Sequence, residues 1–157
     1  MASAGNANEA HDRREKQTVG TKPGGAQRHG GNVARSNKQI VLEVLRRSFV
    51  ERDATVVEEY FGANYKQHNP AIADGPSAIA KMIPTLTGLS YELGMAVADG
   101  DLVMVHGRYT GWGPKPMVAV DIFRVEDGKV VEHWDVLQEE VPAADTASGN
   151  AMFTIRE

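Results

Sequence analysis

Three ionisable side chains lie on two neighbouring segments in the second half of the sequence, namely Asp121, His133 and Asp135. Both segments alternate apolar and polar residues, and a Glu-Asp-Gly stretch at 126–128 separates them, which is the pattern of a β-hairpin. Two carboxylates and an imidazole on one half-buried sheet face are suited to general acid and base catalysis, because burial and repulsion between like charges keep one carboxyl group protonated. The hairpin is therefore the first candidate for a catalytic site.

The register of this hairpin decides which side chains share a face. A two-residue loop pairs Asp121 with Trp134, whereas a three-residue loop with Gly128 in the left-handed conformation pairs Asp121 with His133. In the second register Asp121, His133 and Asp135 lie on one face among apolar neighbours. The alternative interpretation of this cluster is a buried hydrogen bond between His and Asp side chains that only rigidifies the sheet.

A short polar segment earlier in the chain contributes further candidates for ligand contacts, Tyr65, His68 and Asn69. His68 and Asn69 precede a proline, which favours an extended backbone, and adjacent residues of an extended segment point to opposite sides. Only one of the two therefore faces a pocket, and for His68 a loop-capping hydrogen bond is the alternative. A metal site of His68, His133 and Asp135 is a further interpretation, but the sequence has no His-x-His or His-Glu-x-x-His spacing, so we expect no metal.

Two further candidates for ligand contacts lie in predicted strands, His106 and Trp134. His106 shares a strand face with Arg108, and the pattern leaves open whether that face lines a pocket or meets solvent. Trp134 points away from the face of Asp121, so packing or an oligomer contact is the alternative to a substrate platform.

The amino-acid composition excludes several classes of function. The chain has 157 residues, the size of one domain, and no cysteine, so disulfides, thiolate metal sites and cysteine nucleophiles are excluded. No apolar run approaches the roughly 20 residues that span a bilayer, so we expect no membrane insertion. The sequence also lacks a glycine-rich phosphate loop and a Gly-x-Ser-x-Gly elbow, which argues against nucleotide transfer and serine hydrolase chemistry.

The first 35 residues differ from the rest in charge and in apolar content. Residues 1–38 carry seven Lys or Arg and three acidic residues, whereas the remainder carries ten basic and eighteen acidic residues. With so few large apolar side chains, we expect residues 1–35 to be a disordered basic extension without a secretory signal, and the protein to be cytoplasmic. Nucleic-acid binding by this extension is a further interpretation, but no aromatic residues interleave with its basic ones, so we expect no nucleic-acid partner.

The elements that position the candidates follow from the residue pattern. Order is expected to begin at Ser36, because Ser36 and Gln39 form a capping box before an amphipathic stretch. The pattern predicts helices at 36–53, 55–61 and 76–86, and strands at 91–97, 102–109, 117–125 and 129–137. Helices followed by antiparallel strands indicate an α+β domain at 36–153, with a short tail at 154–157.

Three stretches carry a resemblance to a known family: Tyr-Lys-Gln-His-Asn-Pro at 65–70, the hairpin at 121–138, and Asn-Ala-Met-Phe at 150–153. They resemble the SnoaL-like (polyketide cyclase-like) branch of the nuclear transport factor 2-like superfamily. The resemblance implies a cystatin-like α+β barrel, in which a cone-shaped, curved and mostly antiparallel sheet wraps over three N-terminal helices and leaves a pocket at the wide end. Sheet-mediated homodimers are common in this superfamily, so we expect a homodimer.

The resemblance also implies roles for individual residues. Asp121 falls where ketosteroid isomerases place a protonated aspartate in the oxyanion hole, and Asp135 falls where limonene epoxide hydrolase-like members carry the base that activates water. Other partners are not preserved. Neither His68 nor Asn69 is a carboxylate like the isomerases' base. His106 and Arg108 lie near the strand positions of the hydrolases' Arg and Asp, which are not preserved here.

We therefore expect an enzyme that performs acid and base chemistry without a cofactor on a small apolar carbonyl compound, by enolisation followed by isomerisation or aldol-type cyclisation. In this hypothesis His133, polarised by Asp135, is the base, and protonated Asp121 stabilises the enolate. The alternative from another class is a non-catalytic module of the same fold that binds a hydrophobic ligand or dimerises.

Overall fold

The protein packs helices on one face of a five-stranded sheet, in a computed structural model that describes residues 34–155. The helices are α1 (Asn37–Leu45), which continues as a π-helical segment (Arg46–Glu51), α2 (Thr55–Tyr60) and α3 (Pro76–Met82), which continues as a 3-10 turn (Ile83–Thr85). The strands are β1 (Phe61–Gln67), β2 (Ser90–Asp99), β3 (Leu102–Thr110), β4 (Met117–Glu126) and β5 (Lys129–Glu139). A second 3-10 turn (Ala143–Asp145) follows β5.

Helix α1 begins where the sequence predicts it. The Ser36 side chain accepts a hydrogen bond from the backbone of Gln39, whose own side chain accepts from the Ser36 backbone N–H at 2.9 Å. The helix and its π-helical continuation end at Arg52, which adopts the left-handed conformation at φ 55°. Its guanidinium donates to the carbonyl oxygens of Leu86 and Leu89, so the turn is tied to the loop before β2.

Strand β1 corrects the expectation that three helices precede the sheet. It lies between α2 and α3 in the chain and pairs in parallel with β5, where Gln67 is opposite His133. The residue pattern does not predict this strand, because its residues (Phe-Gly-Ala-Asn-Tyr-Lys-Gln) do not alternate regularly between apolar and polar. Its register also shifts between Phe61 and Lys66, which an edge strand tolerates.

The sheet is mixed and open, in the order β1-β5-β4-β3-β2. The pairs from β2 to β5 are antiparallel, and β1 joins the edge in parallel. The prediction of an α+β domain with a mostly antiparallel sheet is therefore confirmed. The barrel that the resemblance implies is not closed, because in the described part of the chain β1 and β2 do not pair with each other.

The β4–β5 hairpin has a register that neither sequence alternative predicted. Its loop has two residues, Asp127 and Gly128, both with positive φ, and a β-bulge follows at Val131. The bulge shifts the remaining pairs by one residue, so Asp121 lies opposite Asp135. The expected pairings of Asp121 with Trp134 or with His133 are therefore wrong. The expected shared face is nevertheless formed, because a two-residue loop plus one bulged residue restores it.

The hydrophobic core lies between the helices and the inner face of the sheet, defined here as the face towards the helices. Its buried residues come from α1 (Ile40, Val41, Val44, Leu45), α2 (Val56, Val57, Tyr60), α3 with its extension (Ile79, Ile83) and the sheet (Phe61, Tyr65, Val103, Val105, Phe123, Val125, Val130). Burial of this apolar surface is the main force that holds the helices on the sheet.

The two ends of the chain are described only in part. Residues 1–33 and 156–157 lie outside the described residues, so the disordered extension at 1–35 and the domain limits stay predictions. Arg35 donates a hydrogen bond to the Tyr60 hydroxyl at 2.5 Å and lies 5.9 Å from the centre of its ring. Within residues 34–155, no helix is both long and apolar enough to cross a membrane.

A methyl group added at Gly107 tests the packing of the inner sheet face. A Cβ at this position would lie 2.6 Å from the ring of Tyr91, which is packed against Phe49 and Tyr109. We expect Gly107→Ala to lower the free energy of unfolding by about 1–3 kcal/mol in urea titrations, because the ring has to move. The matched control is Gly88→Ala, where a Cβ meets nothing within 4 Å and the change should stay below about 1 kcal/mol. Equal stability of the two variants would contradict this packing.

Candidate functional site

A buried pair of polar side chains, Asp121 and His133, lies on the inner face of β4 and β5. Asp121 is 3% exposed and His133 is 7% exposed. The Tyr109 hydroxyl donates to Asp121 Oδ2 at 3.0 Å, and His133 Nε2 lies 3.3 Å from Asp121 Oδ1. Phe123 covers the imidazole, with the ring centres 4.6 Å apart. Both carboxylate oxygens thus have a partner, which a buried carboxyl group requires.

Gln67 is the second partner of His133. The Gln67 Oε1 atom lies 2.9 Å from His133 Nδ1 and accepts the backbone N–H of Asn69, also at 2.9 Å. The amide nitrogen of Gln67 donates to the Tyr65 hydroxyl at 2.8 Å. The parallel pairing of β1 with β5 causes this contact, because it sets Gln67 directly opposite His133.

Asp135 lies half-buried beside this pair. Its Oδ2 atom accepts a hydrogen bond from Asn69 Nδ2 at 2.6 Å. The polar atoms that Asp121, His133 and Asp135 present to one another all lie within 4.8 Å. The structure thus brings the three predicted residues together. The expected polarisation of His133 by Asp135 is wrong, because the two ring nitrogens of His133 contact Gln67 and Asp121.

The loop after β1 fixes the side chain of Asn69. Asn69 is 7% exposed, and its Oδ1 accepts the backbone N–H of Ala71 at 2.8 Å, which is an Asx turn. Asp74 accepts the backbone N–H of Gln67 at 2.8 Å and so ties the two ends of the loop together. The Asn69 amide nitrogen is therefore held towards Asp135.

An apolar cavity opens beside these polar groups, between the sheet and the helices. Its free volume is about 50 Å³, below the roughly 300–1,000 Å³ of drug-sized ligand sites, so a bound compound has to be small or has to displace lining side chains. Asp121, His133 and Asp135 form one part of its wall, with Gln67 and Ser48 as the other polar residues. The remainder is apolar or aromatic: Val44, Leu45, Phe49, Phe61, Tyr65, Ile72, Ile79, Met82, Ile83, Tyr109, Trp112, Phe123 and Leu137.

The tyrosines of the cavity keep their protons far above neutral pH. Burial raises the pKa of Tyr109 well above its ordinary value, and the negative charge of Asp121 adds to this effect. Burial also raises the pKa of Tyr65, with a further contribution from the charges of Asp135, Asp74 and Asp121. Near neutral pH both hydroxyls are therefore neutral groups, and that of Tyr109 donates to Asp121.

Asp121, His133 and Asp135 are also a group that could hold a metal ion. Each residue offers one ligand atom, and imidazole and carboxylate ligands suit zinc and other divalent transition metals. The alternative metal site weighed from the sequence, with His68 beside His133 and Asp135, is not formed, because His68 lies on the other side of the sheet.

His68 and Trp134 lie on the outer face of the sheet, which corrects their expected contact with a ligand in the cavity. Their rings stack with centres 5.0 Å apart and 5° between their planes. His68 Nε2 lies 2.9 Å from Glu132, and the Arg124 guanidinium lies 5.7 Å from the centre of the Trp134 ring. The cause is the alternation of strands, because each of the two residues adjoins one that faces inward.

His106 also lies on the outer face and does not line the cavity, so its expected ligand contact is wrong. Its ring packs against Phe153, with the ring centres 5.6 Å apart. Arg108 shares this face and forms ion pairs with Glu92 and Glu140.

Two residues of the site, Gln67 and Tyr109, were not identified from the sequence. Gln67 carries no local signal, because its position depends on a parallel strand pair that is distant in sequence. Tyr109 could have been found from strand alternation, which sets it on the same face as Asp121 in the neighbouring strand. Of the other candidates for ligand contacts, Tyr65 lines the cavity, whereas Asn69 is not among the lining residues and bonds Asp135.

The sequence of the chain is similar to one known domain family. The profile of the SnoaL-like domain matches residues 41–133, which is more than half of the chain. No curated protein matches the sequence.

Solved structures share the fold at low sequence identity. TsrD from Streptomyces laurentii has a TM-score of 0.56 and 22% identity, over 68% of this chain and 91% of TsrD. An NTF2-like protein of unknown function from Cytophaga hutchinsonii has a TM-score of 0.60 and 13% identity, over 68% of this chain and 94% of its own. An epoxide hydrolase of the LEH-like type from M. tuberculosis has a TM-score of 0.54 and 19% identity, over 72% and 87%. These likenesses support the fold.

Alkaline titration tests the burial of the tyrosines. The chain has four, and burial raises the pKa of each of them: Tyr60, Tyr65, Tyr91 and Tyr109. An unfolded tyrosine has a pKa of about 10, and these buried tyrosines have a higher pKa. Above about pH 10 unfolding therefore releases their protons, so the free energy of unfolding falls as the pH rises. We expect tyrosinate absorbance to rise above pH 10 together with the loss of circular dichroism. A tyrosinate step at the ordinary pKa in a protein that stays folded would refute this burial.

Proposed function

Because the chain belongs to the SnoaL-like domain family, we propose that it is an enzyme that performs acid and base chemistry without a cofactor on an apolar carbonyl compound. The reaction class is enolisation, followed by isomerisation or aldol-type cyclisation. The observation that carries the proposal is the meeting of Asp121, His133 and Asp135 at one wall of a mostly apolar cavity. Such a wall sets proton donors and acceptors beside apolar side chains that suit a small hydrophobic substrate.

Asp135 is the base in this proposal. Among residues 34–155 only its Oδ2 atom accepts a hydrogen bond, from Asn69, and in this proposal the other oxygen accepts a proton from the carbon next to the carbonyl group. The electron pair of the broken C–H bond forms the carbon–carbon double bond of the enol. Asn69 holds the carboxylate in place, which is the contribution of this residue to substrate turnover.

The pair of His133 and Asp121 is the proton donor. Its hydrogen bond of 3.3 Å is long, and a substrate carbonyl oxygen beside it would receive the proton as negative charge develops. The Tyr109 hydroxyl stabilises the carboxylate that remains. The roles differ from the sequence hypothesis, in which His133 was the base, because Gln67 and Asp121 occupy its two nitrogens. Tyr65 and the aromatic wall contact the apolar skeleton.

The alternative from another class is a non-catalytic module whose cavity binds a hydrophobic ligand. The apolar character of most of the lining supports it, because such a wall also suits simple binding. The two functions differ in one observable. Only the enzyme exchanges protons between the bound compound and solvent.

Proton exchange into an enolisable ketone is the test of the catalytic proposal. We expect the protein to incorporate deuterium from heavy water into phenylacetone, an apolar ketone with acidic C–H bonds. Asp135→Asn and His133→Ala should each lower the exchange rate by about 100-fold or more, since each removes one partner of the proton transfer. Mass spectrometry measures the incorporation.

The control is His68→Ala, which removes an imidazole from the outer face and should leave the rate within about twofold of the wild type. Binding of phenylacetone without exchange would reject catalysis and favour the binding module. Unchanged exchange in Asp121→Asn together with His133→Ala would show that the proton transfer takes place elsewhere.

The proposal includes a homodimer, formed through the outer face of the sheet. Exposed apolar side chains lie there on β2 to β5, where a soluble domain would normally carry polar residues: Met95, Val97, Met104, Val120 and Val136. A second copy that covers this face would bury them. The cytoplasmic location and the absence of nucleic-acid partners stay predictions from the sequence.

A charge on the outer face tests the homodimer. Val136 is 71% exposed, and we expect Val136→Lys to weaken self-association about tenfold or more in sedimentation experiments, because it sets a charge into the interface. Val50→Lys is the matched control, since Val50 is 55% exposed but lies on the helical side, and should not change the association. A wild-type chain that sediments as a monomer would contradict this part of the proposal.

A further inference from the structure

We propose that Gln67 is a positioning residue that fixes the tautomer of His133, with the hydrogen on Nδ1, so that Nε2 is the nitrogen that exchanges protons. The expected tautomer follows from contacts in the folded chain and does not depend on turnover. The consequence for catalysis rests on the proposed function of the same site.

The contacts of the Gln67 amide determine its orientation. Its Oε1 atom lies 2.9 Å from the backbone nitrogen of Asn69, and a backbone N–H can only donate. A flipped amide would set an NH₂ group against this N–H, so that two donors would face each other in a partly buried place. The other end of the amide lies 2.8 Å from the Tyr65 hydroxyl, which can accept its N–H. The oxygen of Gln67 is therefore the atom that faces His133.

The oxygen of Gln67 determines which nitrogen of the His133 imidazole carries the hydrogen. His133 Nδ1 lies 2.9 Å from Gln67 Oε1, and an amide oxygen only accepts, so Nδ1 has to carry the hydrogen. In the neutral ring Nε2 then holds the lone pair. This lone pair faces Asp121 Oδ1 at 3.3 Å, and a single further proton between the two atoms completes their hydrogen bond, whichever of them holds it.

Loss of the Gln67 amide would change the tautomer of His133. A carboxylate is a stronger acceptor than an amide oxygen, so without Gln67 the hydrogen of a neutral imidazole would move to Nε2 and bond Asp121. Nε2 could then no longer accept a proton from Asp121, and the pair would lose the proton that it transfers. Gln67 thus keeps His133 in the form that the pair needs, without itself contacting the reacting atoms.

Long-range proton–nitrogen correlation spectra of the wild-type protein test the tautomer directly. We expect the His133 signal, assigned by its loss in His133→Ala, to show the hydrogen on Nδ1. In Gln67→Leu, which keeps the bulk of the side chain but removes the acceptor, the population with the hydrogen on Nε2 should grow severalfold. Gln67→Glu, which keeps an acceptor at this position, should restore the wild-type form. A wild-type ring that carries its single hydrogen on Nε2 and none on Nδ1, or an unchanged ring in Gln67→Leu, would overturn the inference.

Kinetics of deuterium exchange separate positioning from a loss of structure. We expect Gln67→Leu to lower kcat by about 10- to 100-fold, the usual effect of a residue that orients a functional group, while KM stays within about twofold. Gln67→Glu should recover most of kcat. The matched control is Gln138→Leu, the same substitution at an exposed position of β5, with no expected effect on either constant. A variant Gln67→Leu with the tautomer of the wild type and a lower kcat would refute the positioning role.

The two proposals can fail separately. If the wild-type protein exchanges no protons, the catalytic proposal fails, and the spectra alone then decide whether Gln67 fixes the tautomer. If exchange occurs but Gln67→Leu leaves both the tautomer and kcat unchanged, the inference fails and the catalytic proposal stands.

Discussion

A single extra residue in strand β5, Val131, determines which side of the sheet carries the polar groups of the hairpin. With the two-residue loop at Asp127 and Gly128 and no bulge, Trp134 would pair with Asp121 and His133 would face outward. The bulge reverses the side-chain alternation after Val130, so that His133 and Asp135 turn towards the helices. The cavity wall depends on this reversal, because both residues come from the bulged strand.

The edge strand β1 and the loop after it supply hydrogen-bond partners for the polar side chains that the bulge turns inward. Buried polar groups destabilise a fold unless each has a hydrogen-bond partner, and the hairpin alone cannot supply all of them. The last residue of β1, Gln67, satisfies one nitrogen of His133, and the loop that follows supplies Asn69 to Asp135. Tyr109 from β3 satisfies the remaining oxygen of Asp121. Side chains from four separate segments thus share one network, which explains how a polar wall is tolerated beside an apolar cavity.

Local patterns were sufficient to predict the elements that depend on local chemistry. The capping box at Ser36 and Gln39, the amphipathic period of α1 and the turn residues between strands are all visible in the sequence, and the structure confirms these elements. The shared face of Asp121, His133 and Asp135 was also predicted. The pairing of Asp121 with Asp135 was not predicted, because a bulge has no reliable local signature. An extra residue in a strand shifts the register in the same way as an extra residue in the loop.

Long-range contacts account for the remaining errors. The parallel pairing of β1 with β5 joins residues more than sixty positions apart, so nothing near Gln67 reveals its contact with His133. The outward positions of His68 and His106 follow from the same cause, because the face of a polar residue cannot be known until the neighbouring strand is known. Composition and family resemblance reduced the number of reaction types to consider. The packed sheet was needed to tell the residues of the cavity from those of the outer face.

A crystal structure of the protein with a bound naphthol, a stable mimic of an enol, would show whether Asp121, His133 and Asp135 act on one carbonyl compound in the cavity. We expect the aromatic rings to occupy the apolar cavity and the hydroxyl oxygen to lie within hydrogen-bond distance of His133 Nε2 or Asp121, with Asp135 on the adjoining wall. A naphthol bound outside the cavity, or inside it with its oxygen turned away from these three residues, would contradict the claim that they act together on one carbonyl compound.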